Sequence, residues 1–82
     1  MEASYEEIKA WLQNGKKQGA THLIVVCDTF EWEDYPVYVK PDENVHLVEY
    51  QYSEKNMQRV MEVYNLSKDL NTQLKQHRSF NY

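Results

Sequence analysis

The residues best suited to chemistry lie in one short segment, Asp28-Thr29-Phe30-Glu31-Trp32-Glu33-Asp34, where four carboxylates surround two large aromatic side chains. Aromatic side chains act as anchors when proteins associate, and carboxylates steer a basic partner into place. We therefore predict a partner-binding surface that faces a protein with a basic surface. Its residues are Asp28, Phe30, Glu31, Trp32, Glu33, Asp34 and Tyr35. The alternative is an ordinary hairpin loop that its charges keep soluble, with Phe30 or Trp32 tucked under the first helix.

The sequence gives little support for a metal site or a catalytic site. The carboxylates could ligate calcium, but their spacing lacks the central glycine and twelve-position pattern of an EF-hand. Nothing distinguishes a general acid from a general base among them. Cys27 follows an apolar run and precedes Asp28, which disfavours the thiolate that a nucleophile requires. The three histidines are too scattered for a zinc site. We predict a non-enzymatic protein with no catalytic residues, no metal site and no cofactor.

The composition predicts one small globular domain over residues 1–82. Hydrophobic residues make up 41% of the chain and charged residues 27%, as in folded proteins. The lone Cys27 excludes an internal disulfide, and this, together with the lack of a signal peptide, favours a cytoplasmic location. No apolar run approaches the roughly 20 residues that a membrane-spanning helix needs, so we expect no membrane association.

The net charge of −4 is unevenly distributed along the chain. Residues 1–52 carry four lysines and ten carboxylates, a net charge of −6, whereas residues 53–82 carry five basic and three acidic residues, a net charge of +2. Phosphates would repel the acidic part, so we expect no direct binding to nucleic acid. The opposite charges of the two parts would favour head-to-tail contact within or between chains.

Two runs of strand-forming residues flank the acidic segment and must position it. Leu23–Cys27 is an unbroken apolar run, which is typical of a central strand or one covered on both faces. Pro36 cannot donate to a sheet, so it predicts an edge strand or the entrance of a strand. After a turn at residues 41–44, the alternating residues 45–52 predict a third strand.

Helices are predicted at both ends of the chain. Ser4 and Glu7 have the spacing of a capping box, and an apolar stripe follows them, which predicts a helix over residues 4–17. A last helical region is predicted after Ser53, because four apolar residues repeat at helical spacing: Met57, Val60, Met61 and Tyr64. The fold class is therefore α+β, a two-layer sandwich in which helices cover one face of a three-stranded antiparallel sheet, in the order α-β-β-β-α.

A second apolar series, Leu66, Leu70 and Leu74, lies about half a turn away from the Met57 stripe. Two alternatives are open. Either the helix breaks near Asn65–Ser67, with Ser67 capping a new segment, or one continuous helix presents a second face to a partner. On the second alternative the three leucines form the interface of a homodimer, because one small sheet cannot cover them.

Two segments, GATHLIVVCDTFEWEDYPVYV (19–39) and NMQRVMEVYNLSKDL (56–70), resemble a group of short, uncharacterised proteins of bacteria and their phages. The resemblance carries no known catalytic residues. It implies a cytoplasmic accessory protein of a phage or prophage that inhibits a host defence or nucleic-acid-handling protein by binding it. A second hypothesis, drawn from the leucine face and the aromatic residues, is an oligomer that sequesters a nucleotide-like small molecule between its subunits.

Overall fold

The chain folds as a three-stranded sheet with three helices, described over residues 2–82 by a computed structural model. The elements are α1 (Tyr5–Gln18), β1 (His22–Asp28), β2 (Glu33–Val39), α2 (Val45–Ser53), β3 (Gln58–Asn65) and α3 (Leu70–Lys75). Both strand pairs are antiparallel, and the strand order is β2-β1-β3. The α+β class is confirmed, as is the order α-β-β-β-α, into which one further helix, α2, is inserted before the third strand.

Strand β1 is the centre of the sheet, as its apolar run predicts. Leu23, Ile24, Val25 and Val26 are at most 1% exposed. Successive side chains of a strand point to opposite faces. Leu23 and Val25 accordingly belong to one apolar cluster, and Ile24 and Val26 to another.

The helices cover both faces of the sheet, which corrects the predicted two-layer arrangement. Helices α1 and α3 pack on the face of Leu23 and Val25, whereas α2 packs on the opposite face through Val45 and Val48. The reason is that β1 has no polar face. Helices on one side alone would leave a row of branched apolar side chains in water, at a cost of about 25 cal/mol for each Å² exposed.

Residues 45–52 form a helix, so the prediction of an edge strand there is wrong. Asn44 caps α2 by accepting hydrogen bonds from two backbone N–H groups of its first turn. Val45, Val48 and Tyr52 then face the sheet at helical spacing. Over so short a segment, the pattern of polar and apolar residues fits both the helical and the strand periodicity, and the N-cap at Asn44 favours the helix.

Residues 58–65 form β3, so the helix predicted after Ser53 is also wrong; Ser53 is the last residue of α2. A bulge in β3 lies opposite the step from Val25 to Val26. Because of the bulge, Val60 shares the α2 side of the sheet with Val63, and Met61 shares the α1 side with Tyr64, although the members of each pair are three residues apart. The spacing that imitates a helix is therefore produced by an irregular strand.

The leucines predicted as an oligomer interface pack inside the molecule, which corrects that prediction. Leu66 is buried, and Leu70 and Leu74 are half-buried in the same cluster as the core residues of α1. Strand β3 ends at Asn65, close to the predicted break, and α3 begins at Leu70. The N-cap of α3 is Asp69 rather than the predicted Ser67. Leu66 is therefore closed to a partner, whereas Leu70 and Leu74 pack toward α1 and stay partly open to solvent.

The two outer edges of the sheet differ. The edge of β3 is closed, because the side chain of Gln73 both accepts from and donates to the backbone of Asn65 at 2.8 Å. Further along this edge, the Val63 N–H donates to the Ser79 carbonyl at 2.8 Å, and the Val63 carbonyl accepts from the Asn81 N–H at 2.9 Å. The other edge strand, β2, contains Pro36, which agrees with the predicted edge position.

Helix α1 has the predicted capping box, in which Ser4 Oγ accepts from the Glu7 N–H at 3.1 Å and the Glu7 carboxylate accepts from the Ser4 N–H at 3.2 Å. The buried Gly15 lets α1 approach the sheet closely. A Cβ atom there would lie 2.9 Å from Leu66 Cδ1 and 3.1 Å from Tyr38 Cε1. Within residues 2–82, none of the helices has the length and apolar character that crossing a membrane demands.

Gly15→Val is expected to lower the free energy of unfolding by about 2–3 kcal/mol, because the added side chain overpacks the contact between α1 and the sheet. Urea denaturation followed by circular dichroism measures the change. Ala10→Val, at an exposed position of the same helix, controls for helix propensity and should cost less than about 1 kcal/mol. Equal losses in the two variants would contradict the importance of the close approach at Gly15.

Candidate functional site

The four residues Phe30–Glu33, called the tip below, lie at the turn of the β1–β2 hairpin. Phe30 is 70% exposed and Trp32 is 63% exposed, and Glu31 and Glu33 are exposed as well. The alternative in which an aromatic ring of this segment is tucked under α1 is therefore wrong. Two large rings and two carboxylates, all within four consecutive residues, are thus exposed to solvent.

The backbone of the tip is held in a defined turn. The Asp28 carboxylate accepts from the Phe30 N–H at 2.9 Å, an Asx-turn. The Thr29 N–H donates to the Met57 carbonyl at 2.9 Å, which ties the turn to the start of β3. Trp32 has a φ of 58°, in the left-handed region that bulky residues rarely adopt. These features fix the direction in which the aromatic rings project.

The other three predicted site residues support the tip instead of extending its exposed surface. Asp28 forms the turn described above. Asp34 accepts from the Ala3 N–H at 2.9 Å, across 31 residues of sequence. The Tyr35 ring packs edge-on against Tyr52 at 6.4 Å, and its hydroxyl donates to the Gln58 side chain. The structure thus divides the predicted set into four exposed residues and three bracing ones.

Two acidic residues that sequence reasoning missed join this end of the molecule. Glu2 and Glu7 line a shallow hollow of about 310 Å³ together with Glu33 and Asp34. The hydrogen bond between Ala3 and Asp34 brings the two segments together. No sequence pattern indicates a contact of this range. Among residues 2–82, no three His, Cys, Asp or Glu side chains are grouped so as to hold a metal ion.

Met57 is a second residue that sequence reasoning missed at this end. It was predicted to lie in the apolar stripe of a helix, but it is 45% exposed and its carbonyl is bonded to the turn. Its own φ is 63°. Together with Phe30 and Trp32, it makes this end of the sheet both apolar and acidic, a combination that suits docking against another protein.

Cys27 lies beside the tip but is poorly suited to nucleophilic chemistry. It is 7% exposed, and burial raises the pKa of its thiol. The Asp34 carboxylate raises this pKa further, because it accepts a hydrogen bond from the protonated thiol and repels a thiolate. The favoured role of Cys27 is packing.

The histidines lie away from the tip. His22 and His46 are close to each other because both contact Tyr82: His46 stacks on its ring at 4.4 Å, and His22 approaches its carbonyl at 3.4 Å. Burial lowers the pKa of His22. His77 is exposed beyond α3.

Comparison of the chain with protein-family models, with curated proteins and with solved structures found no match. The tip is therefore the feature of the molecule that indicates a function. Its distinguishing property is the exposure of two large aromatic rings beside two carboxylates on a braced turn.

Native Cys27 is expected to react with iodoacetamide at least about tenfold more slowly than Cys27 in urea, because the buried thiol stays protonated. Asp34→Asn should raise the native rate at a fixed pH, since loss of the carboxylate lowers the thiol pKa. Glu33→Gln, which removes an exposed carboxylate next to Asp34, is the matched control. Equal rates for Asp34→Asn and the parent chain would contradict this account of the thiol.

Trp32→Gly is expected to change the free energy of unfolding by no more than about 1 kcal/mol, because relief of the left-handed backbone offsets the greater chain entropy of glycine. Leu23→Ala, in the core of β1, should cost about 2–5 kcal/mol under the same conditions. Thermal or urea unfolding compares the two variants. A loss in Trp32→Gly as large as that in Leu23→Ala would show that Trp32 serves the fold.

Proposed function

We propose that this chain is a non-enzymatic binding protein whose contact surface is the tip. The observation that supports this proposal best is the exposure of Phe30 and Trp32, at 70% and 63%. Large aromatic side chains bury the most area on folding or binding. Tryptophan is among the residues most enriched at the energetic centres of protein interfaces. Two such rings exposed to solvent offer apolar surface that a partner can bury.

The backbone at Trp32 supports the same conclusion. A left-handed conformation costs a bulky residue on the order of 1 kcal/mol, whereas glycine adopts it freely. Strain of this kind is typical of positions that serve binding or catalysis. The Asx-turn at Asp28 and the bond from Thr29 to Met57 keep the strained turn in place. A turn already ordered before binding loses less entropy when it binds.

The charges of the tip specify the chemistry of the partner. Glu31 and Glu33 flank Trp32, and Glu2, Glu7 and Asp34 add negative charge nearby. The partner surface should therefore carry an apolar pocket with a basic rim, and carboxylates would steer its approach. Nucleic acid is disfavoured because its phosphates would be repelled. We extend the proposal to a host protein of a phage or prophage as the partner, with inhibition of that protein as the result of binding.

The second hypothesis, an oligomer that sequesters a small nucleotide-like molecule, has lost one of its two supports. Its leucine face is packed against α1. The exposed aromatic residues remain, but the acidic groups around them would repel the phosphates of a nucleotide. Docking to a protein is the function that the tip favours.

The test is affinity capture from an extract of cells that express the chain natively, with captured proteins quantified by mass spectrometry. Trp32→Ala with Glu33→Lys should lose the specific partner, because it removes the anchor and reverses the steering charge. The matched control is Tyr50→Ala with Glu54→Lys, which changes an equally exposed ring of α2, 63% exposed, and the exposed carboxylate of the residue that follows α2. Circular dichroism verifies that both variants fold. A partner retained equally by both folded variants would contradict a contact through the tip.

A further inference from the structure

A cleft of about 410 Å³ lies between α1 and α3. Its floor is apolar and consists of the buried Leu12 and the half-buried Leu70 and Leu74. The volume lies within the range of pockets that hold a large side chain or a small ligand. The cleft therefore suits an exposed anchor residue, because it is a depression with an apolar floor and polar residues around it.

The rim of the cleft is basic, in contrast to the net charge of the chain. Lys9, Lys16 and Lys68 line it, against a single carboxylate, Asp69. That carboxylate is directed to the first turn of α3, where it accepts from the Thr72 hydroxyl at 2.9 Å and the Asn71 N–H at 3.0 Å. An occupant of the cleft would therefore meet an apolar floor between ammonium groups. Such a site suits an aromatic side chain flanked by carboxylates.

The tip has this chemistry, but the tip of the same molecule cannot reach the cleft. Lys16 precedes the start of β1, and Lys68 follows the end of β3, where His22 is paired with Asn65. The tip follows Asp28, at the other end of β1. A seven-residue strand separates these ends by roughly 20 Å. Because the sheet is rigid, contact between tip and cleft requires two molecules.

We propose that a second copy of this chain is a partner of the tip, with Trp32 of one copy seated in the cleft of the next and Glu31 and Glu33 facing Lys16 and Lys68. This inference rests on the proposed function, because it names an occupant for the same surface. The interface is heterologous, so a pair of copies keeps one free tip and one free cleft, and growth gives a chain or a ring. A contact of one side chain and a few charges is small, which makes the association weak and sensitive to salt.

Sedimentation velocity over a range of protein concentrations tests the proposal. The parent chain should show a weight-average sedimentation coefficient that rises with concentration and falls back as salt is added. Trp32→Ala and, separately, Lys16→Glu with Lys68→Glu should each stay monomeric. The matched control is Lys17→Glu with Lys75→Glu, which makes the same charge change outside the cleft, at exposed positions of α1 and α3. It should associate like the parent chain.

Mixing the two monomeric variants provides the decisive measurement. The Trp32→Ala chain has an intact cleft and the Lys16→Glu, Lys68→Glu chain has an intact tip, so the mixture should form a 1:1 complex that grows no further. A parent chain that stays monomeric at every concentration would overturn the inference, as would a mixture without complex or equal association of cleft and control variants. None of these outcomes affects capture of a different partner by the tip, so a failure here is distinguishable from a failure of the proposed function.

Discussion

The rest of the structure depends on the burial of β1 on both of its faces. Residues 23–27 have no polar face, so the strand requires a neighbour along each edge and a covering layer above and below. These requirements explain why β2 and β3 flank it, why α2 lies opposite α1 and α3, and why Leu66, Leu70 and Leu74 are used internally. They also explain the position of the tip. A strand held on all sides has only its ends free, and the chain leaves one end at Asp28 to form an outward turn.

The parts of the fold that short-range chemistry controls could be predicted from the sequence. The capping box of Ser4 and Glu7, the central position of β1 and the edge position of Pro36 each follow from residues close together in the chain. Residues 45–65 could not be predicted in this way. Both halves of this stretch contain branched and aromatic residues, so β propensity does not separate them. The Asn44 cap begins a helix in the first half, and the second half pairs with the open edge of β1. The bulge in β3 interrupts the alternation of its side chains between the two faces, so the local pattern of apolar residues predicts a helix.

The candidate site likewise has features that could be predicted from the sequence and features that could not. The clustering of acids and rings in residues 28–34 is visible in the sequence, but the separation into an exposed tip and a bracing set is not. Phe and Trp are commonly buried residues, so their exposure here follows from the lack of any element packed over the turn. The bond between Ala3 and Asp34 joins segments 31 residues apart, and together with the packing of α1 on the sheet it brings Glu2 and Glu7 close to the tip. Contacts of this range depend on the finished fold.

Because β1 is rigid, the molecule holds two chemically different surfaces apart, and this separation bears on its function. One end presents rings and carboxylates, the other an apolar cleft with a basic rim, and the sheet keeps them apart. A flexible chain of the same composition could pair these opposite charges within itself, whereas in this molecule the charges of the tip and the cleft stay solvated until another molecule pairs with them. A tip seated in a second copy is unavailable to any other protein, and a stronger partner displaces it by mass action. Self-association would thus shield the exposed rings of Phe30 and Trp32 from non-specific aggregation until a partner with a better pocket and a basic rim is present.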